Sequence, residues 1–439
     1  MSFKERDVVI TGMGLLTPLG IGVEENWENV KIMKTGIGFY PQEEVPRFFQ
    51  YMGKVKKFEI EKDIPQKLIG QMKFLNRGSL LGFAAAREAV AQSAVNMTDV
   101  PPSRRALYIA SGDTTRVGYD FIYPAVKDGT HGRWAEMDFE ALNRSTVDKV
   151  NPFFLLESIC NNLFSFLSAF YELMGPNTTL ASHSPHGGNA LELACRSIRH
   201  DKADMALAVG CGNWITEIPL YEMEGLGILS RCRNGIHSYR PLDRRRDGFI
   251  PGEGGAAVFL EASEIAERRG AKVFARVKGF GNCIEFANDQ SLTVPSHVSA
   301  KSMGLALEDA RRDPKGLAFI CPHGSGSQKG DRSELNSIRE IFGRKSAEIP
   351  ISGMKGYTGH LGAASDLAEV ILSIKATAAR MVPATLNFRQ ADPDFVDLPV
   401  SGEHRPCDES CFLSVSYGIG GQSSSVVVEV VAEENVLFS

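Results

Sequence analysis

The run Ser182-His183-Ser184-Pro185-His186 sets a hydroxyl between two imidazoles. An extended approach, Thr178 to Ala181, leads into it, and Gly187-Gly188 follow. Apolar residues then recur at helical spacing: Ala190, Leu191, Ala194 and Ile198. This order predicts a strand, a sharp turn and a buried helix. The first N–H groups of a helix lack intrahelical partners and carry partial positive charge, so negative charge is favoured where Ser184 sits. A nucleophile held there has donors ready for an oxyanion. A serine at such a turn also serves as a plain helix cap. The turn alone therefore does not establish catalysis.

Three later segments end in the same way. Leu317–Cys321 reads as a strand opening onto Pro322-His323-Gly324-Ser325-Gly326-Ser327. Ile349–Ser352 reads as a strand opening onto Lys355, Gly356, Thr358, Gly359 and His360. Cys411–Tyr417 reads as a strand opening onto Gly418-Ile419-Gly420-Gly421. If these four strand ends face one another, Ser184, His323, His360, Lys355 and the 418–421 backbone share one cleft.

The elements that must position them alternate. Strands are expected over Asp7–Gly14, Ala106–Gly112, Ala203–Gly212, Ala256–Leu260, Lys272–Gly279 and Ser425–Val431. Helices are expected over 24–34, Arg77–Ala94, from about Leu155 to Tyr171, and over Ser299–Arg311, Asp331–Ile341 and Leu367–Ala379. Residues 113–150 read as an excursion outside the main layers. Alternating strands and helices imply a layered α/β architecture. The similar order before and after residue 262 suggests two halves, 1–262 and 263–439.

Composition narrows the function. The 439 residues are 43% hydrophobic and 23% charged with a formal net charge of −5, which lacks the basic excess of a nucleic-acid binder. No apolar run of about 18 residues is present to span a membrane. MSFKERDVVITG lacks the apolar core of a signal peptide, and the eight cysteines have neither redox nor metal-ligand spacing. A cytoplasmic protein with free thiols is expected. Gly12, Gly14 and Gly20 do not form the GxGxxG dinucleotide fingerprint, and no metal, nucleotide or flavin motif is evident. The arginines of RPLDRRRDGF (240–249) alternate with Asp243 and Asp247, which suggests ion pairing around a turn.

These motifs carry a resemblance over nearly the whole chain. VVITGMGLLTPLG, VNPFF (150–154), GPN (175–177), RPLDRRRDGFIPGEGG (240–255), HGSGSQKGDRSE (323–334), KGYTGHLGAAS (355–365) and VSYGIGGQSSSVVVEV are similar to segments of elongating β-ketoacyl-acyl-carrier-protein synthases of the thiolase superfamily. The resemblance implies a five-layer αβαβα fold of two pseudo-duplicated halves, and a dimer. It implies condensation of malonyl-carrier protein with an acyl group held on the enzyme, as in fatty acid or polyketide-type biosynthesis. No cofactor is implied; substrates ride on the phosphopantetheine arm of acyl carrier protein. By motif, His323 and His360 match the two catalytic histidines, Lys355 the lysine and Glu334 the acid that pairs with it. Ser325 and Ser327 match pantetheine-binding hydroxyls, and the backbone N–H groups of Ser184 and Ile419 match the oxyanion hole.

Two departures stand out. Ser184 occupies the place of the nucleophilic cysteine, and its neighbours differ as well. Ile419 stands where similar members carry a phenylalanine that gates the acyl pocket. A thiol, with a pKa of about 8.5, is brought to thiolate by a helix end. Ionising a serine outright would need about 7 kcal/mol or more at roughly 1.4 kcal/mol per pKa unit, whereas a helix end supplies about 0.3–2 kcal/mol. Ser184 therefore requires a general base. His323 or His360 is expected to be that base, in preference to the adjacent His183 or His186.

An ester is a weaker electrophile than a thioester, so two alternatives stand beside the elongating enzyme. One is a non-elongating acyltransferase or hydrolase. The other is a chain-length-factor-like subunit of a heterodimer with a cysteine-bearing ketosynthase, instead of a homodimer. The joint presence of His323, His360 and Lys355 speaks against an inert subunit. Lys54, Lys56 and Lys57, or Arg244 to Arg246, are candidate contacts for an acidic carrier protein.

Overall fold

The first strand shows why two early glycines are needed. A Cβ on Gly12 would lie 2.0 Å from the carbonyl oxygen of Ala89, and one on Gly14 would lie 1.9 Å from that of Ala85. Both glycines let a helix rich in alanine lie directly on the sheet. They serve packing.

The computed structural model describes residues 5–42, 45–60, 64–112, 119–152, 161–181, 184–286, 294–313 and 316–431. Among these, one ten-stranded mixed sheet dominates. Its strands are β1 (Val8–Thr17), β2 (Gly20–Ile21), β3 (Arg105–Ser111), β4 (Asn177–Ala181), β5 (Met205–Asn213), β6 (Glu253–Ala262), β7 (Ala275–Ile284), β8 (Leu317–Cys321), β9 (Cys411–Tyr417) and β10 (Gln422–Val430). They run in the order β8-β9-β10-β7-β1-β6-β5-β3-β4, with β2 paired to β1. The two ends are parallel, β8 with β9 and β3 with both β4 and β5, and the pairs between are antiparallel. β1 meets β7 at only two residue pairs, Val9 with Arg276 and Ile10 with Ala275. The sheet is pinched at that narrow seam.

The helices sort into three layers. α1 (Arg77–Ser93) and α2 (Asn162–Tyr171) pack on one outer face, sharing a core with Leu107, Ile109, Leu207 and Phe259. α3 (His186–Arg199) lies inside, and α4 (Ala300–Ala310) and α5 (Gln328–Phe342) cover the other outer face around Ile320, Leu413 and Val415. After the single turn α6 (Lys355–Thr358), α7 (Ser365–Ala378) joins α3 in the central layer, where both share a core with strands on either side of the seam. Residues Ser365 through Ile374 are all buried, so α7 is covered on every side. The result is the αβαβα arrangement of a thiolase-like fold.

Most expected elements are present with shifted ends. The fifth helix begins at Gln328, three residues before the expected Asp331, because the Ser327 hydroxyl caps it by accepting from the Gly330 N–H. The strand expected over Lys272–Gly279 runs Ala275–Ile284. The strand expected over Ile349–Ser352 is reduced to a bridge at Ile351, which touches Ile320 on one side and Val400 on the other. Residues 113–118 of the expected excursion lie outside the described residues; the remainder contains two helices, Tyr119–Gly129 and Phe139–Lys149, packed on each other and joined by a turn. The helix expected from about Leu155 is described from Asn162, and residues 153–160 lie outside the described set. Among the described residues, no helix is long and apolar enough to cross a membrane.

Candidate active site

β4 leads to Ser184, which sits just before the first turn of α3. Residues 182 and 183, including the candidate base His183, lie outside the described residues. From β8 the chain enters His323, and from α6 it passes through Gly359 to His360. His360 is anchored by its backbone to both Ile250 and Gly252. The turn after β9 brings Gly418 and Ile419 alongside. Ser184, His323, His360, Ser325, Ser327 and Ile419 all line one cavity of about 200 Å³, with Trp214, Phe249, Met223 and Tyr417 among its apolar walls.

The two imidazoles face each other, with Nε2 to Nε2 at 3.3 Å. The Gly362 N–H donates to Nδ1 of His360 at 3.2 Å. The proton of a neutral His360 therefore lies on Nε2, directed at Nε2 of His323. His323 is buried, and burial, with the nearby Lys355 ammonium and His360, holds its pKa well below the usual value. His323 is thus neutral at neutral pH. Trp214 stacks on His360 with ring centroids 4.6 Å apart, and Tyr417 lies against His323 at 4.4 Å. These rings fix the planes of both imidazoles.

Beneath the pair, the buried Lys355 donates from Nζ to Glu369 Oε1 and Oε2 at 2.8 and 2.9 Å and to the His323 carbonyl at 2.6 Å. The acid paired with the lysine is therefore Glu369, which corrects the expected pairing with Glu334. Glu334 instead accepts from the backbone N–H groups of His323 at 2.6 Å and Gly324 at 2.9 Å. It shapes the histidine turn. Burial pushes the Glu334 carboxyl up to about 8 against those donors, and pushes Glu369 up to about 7 against the pull of Lys355.

Ser184 departs most from expectation. Its hydroxyl donates to Asp366 Oδ1 at 2.8 Å, a buried carboxylate in the first turn of α7, and not to either imidazole. Burial raises the Asp366 pKa from its ordinary value, against the pull of Lys355 and of the hydroxyl and N–H groups that donate to it. Sequence reasoning passed over Asp366 and Glu369. Their signal was two acids three residues apart in the apolar run SDLAEVILSI, a spacing that puts both on one helix face.

Among the described residues, neither the Ser184 nor the Ile419 N–H has a hydrogen-bond acceptor. The turn that carries Ile419 is pressed against residue 184: a Cβ on Gly418 would lie 2.1 Å from the Ser184 carbonyl oxygen. Gly418→Ala must therefore displace one strand end from the other. Its expected cost is about 1–3 kcal/mol of stability, with a loss of acyl loading, measured on the folded variant, larger than the shift in unfolding midpoint explains.

The Ser325 and Ser327 hydroxyls lie 2.8 Å apart, and Ser325 also donates to Asp331 and receives the Tyr417 hydroxyl. Among the described residues the cysteines form no disulfide, and none lines the cavity. Of the surface cations considered for a carrier protein, Arg246 is buried against Asp331 and Asp392, and Lys56 pairs with Glu25. Arg246 is therefore removed as a docking contact, and Arg245 is tied to Asp243.

Residues 5–266 match the family described as Beta-ketoacyl synthase, N-terminal domain, and residues 274–389 match Beta-ketoacyl synthase, C-terminal domain. The 3-oxoacyl-[acyl-carrier-protein] synthase 2 of Vibrio harveyi is 28% identical over 434 residues, covering 98% of this chain and 100% of the relative. A type II PKS acyl-carrier protein in complex with its ketosynthase bound to the hexaketide is similar in structure, with a TM-score of 0.84 at 24% identity, over 97% of this chain and 100% of the matched one. The ishigamide ketosynthase/chain length factor gives a TM-score of 0.81 at 23% identity, over 98% and 100% of the two chains.

Proposed function

Because the chain belongs to the β-ketoacyl synthase family, we propose that it handles acyl and malonyl groups delivered by acyl carrier protein, with Ser184 in the place of the family's nucleophilic cysteine. The observation that carries this reading is the common cavity. It holds a hydroxyl at a helix mouth, two facing imidazoles and the backbone N–H groups of residues 184 and 419, which have no acceptor among the described residues. In it Ser184 Oγ attacks the carrier thioester, and the two N–H groups receive the developing oxyanion. The His360 Nε2–H then stands ready to donate to the enolate oxygen of malonyl-carrier protein as carbon dioxide leaves. His323, neutral and facing the same point, accepts the His360 Nε2–H until substrate takes its place, while Lys355 and Glu369 hold its turn. Ser325 and Ser327 would contact the pantetheine arm, and Ile419 would stand at the mouth of the acyl pocket.

Acyl carrier protein is thus the proposed partner, and residues 1–262 and 263–439 the proposed halves of a duplicated unit. The mirrored strand order supports the second point.

Carbon dioxide release tests the condensing step. Protein preloaded with an acyl group should release carbon dioxide from malonyl-carrier protein and form a ketoacyl product. Acyl loading without carbon dioxide release would remove condensation from this reading. A second reading then takes over, acyl transfer or hydrolysis from the same serine. The Ser184–Asp366 hydrogen bond favours it, since a hydroxyl beside a carboxylate suits ester exchange.

A further inference from the structure

Ser184 needs a proton acceptor, and the imidazoles expected to supply one are directed at each other. We propose that Asp366 is the catalytic base and acid of Ser184, a dyad that rests on the acyl-serine reading above. Its Oδ1 is 2.8 Å from the Ser184 hydroxyl. Oδ2 accepts the Gly188 N–H at 3.3 Å, and the Ser416 hydroxyl also donates to this carboxylate.

The site is built around the carboxylate. Asp366 lies in the first turn of α7, while Gly188 lies in the first turn of α3, so two helix N-termini converge on it. A Cβ on Gly187 would stand 3.0 Å from Oδ2, so the approach needs glycine there. Lys355 and Glu369 are the charged groups beside it on α6 and α7. Burial opposes a bare anion, which makes a proton acceptable on this oxygen.

The step balances without any co-reactant. Ser184 Oγ forms a bond to the thioester carbon as its proton passes to Asp366 Oδ1. The C–S bond then breaks, and the same proton goes to the departing pantetheine sulfur. Loading leaves an ester on Ser184 and a free thiol on the carrier. Discharge to another nucleophile runs the transfer in reverse.

The test uses the full chain and octanoyl-N-acetylcysteamine thioester, with loading followed by intact-protein mass spectrometry. Asp366→Asn keeps the shape but cannot take a proton. It should slow loading of the serine enzyme by about 10²–10⁴-fold, the range for general-base catalysis. In a Ser184→Cys background the same change should not slow loading, because a thiol ionises without a base and a neighbouring carboxylate only opposes the thiolate. That double variant also shows that the Asn substitution folds. Unchanged loading in Asp366→Asn, or equal slowing in both backgrounds, would overturn the dyad while leaving the acyl-serine intact. Failure of wild-type protein to load from the thioester and from acyl-carrier protein alike would overturn the acyl-serine reading, and the dyad with it.

Discussion

Replacing Ser184 with alanine should abolish the acyl adduct, lowering loading at least about 10³-fold, as removal of a covalent nucleophile does. The magnitude follows from what else is present. Among the described residues no cysteine lines the cavity. Burial pushes the Cys195 and Cys232 thiols up to about 12 and Cys411 to about 11, so these are poor thiolates. Ser325 and Ser327 are occupied by each other, by Asp331 and by Tyr417. Among the described residues, no second nucleophile stands in reserve. Intact-protein mass after incubation with acyl-carrier protein reads the result, and an adduct of wild-type size on the alanine variant would remove Ser184 from the role.

Breaking the Lys355–Glu369 pair should cost the most stability. Both side chains are nearly inaccessible, at 1% and 4%. Glu369→Leu leaves an ammonium buried without its counter-charge, an effect of about 3–5 kcal/mol. Lys355→Met leaves the carboxylate in the same position. The double change Lys355→Met with Glu369→Leu removes both charges together and should cost less than either single one. Denaturant midpoints for the four proteins complete the cycle. Additive losses would show that the pair is not an interacting unit.

Much of the site was legible because its chemistry sits at strand ends, where residue type marks function more plainly than packing does. Ser184, His323, His360 and Ile419 were each readable from a short strand followed by a polar or glycine-rich turn, and they meet in one cavity. Partnerships were harder to read. Glu334 and Glu369 both lie on helices near Lys355, and only the packing of α7 against the turn after β8 decides which carboxylate reaches the ammonium. Asp366 looked like an ordinary acid near a helix start. Its role emerges from the central layer, where α3 and α7 bring Ser184 and Asp366 together across 182 residues.

The same limit shaped the strand expected over Ile349–Ser352. Its apolar pattern was sound, since Ile349 and Ile351 are buried. Yet single backbone bridges to Ile320 and Val400 replace a ladder. Burial was readable from residue type; the number of paired neighbours depended on segments far away.

The central claim is that the acyl group is carried as an oxygen ester at position 184. Wild-type protein incubated with acyl-carrier protein should yield, on proteolysis and fragmentation, one peptide bearing the acyl mass on Ser184, with the linkage surviving neutral hydroxylamine. An acyl mass on a cysteine that hydroxylamine releases, or no acylated peptide at all, would contradict it.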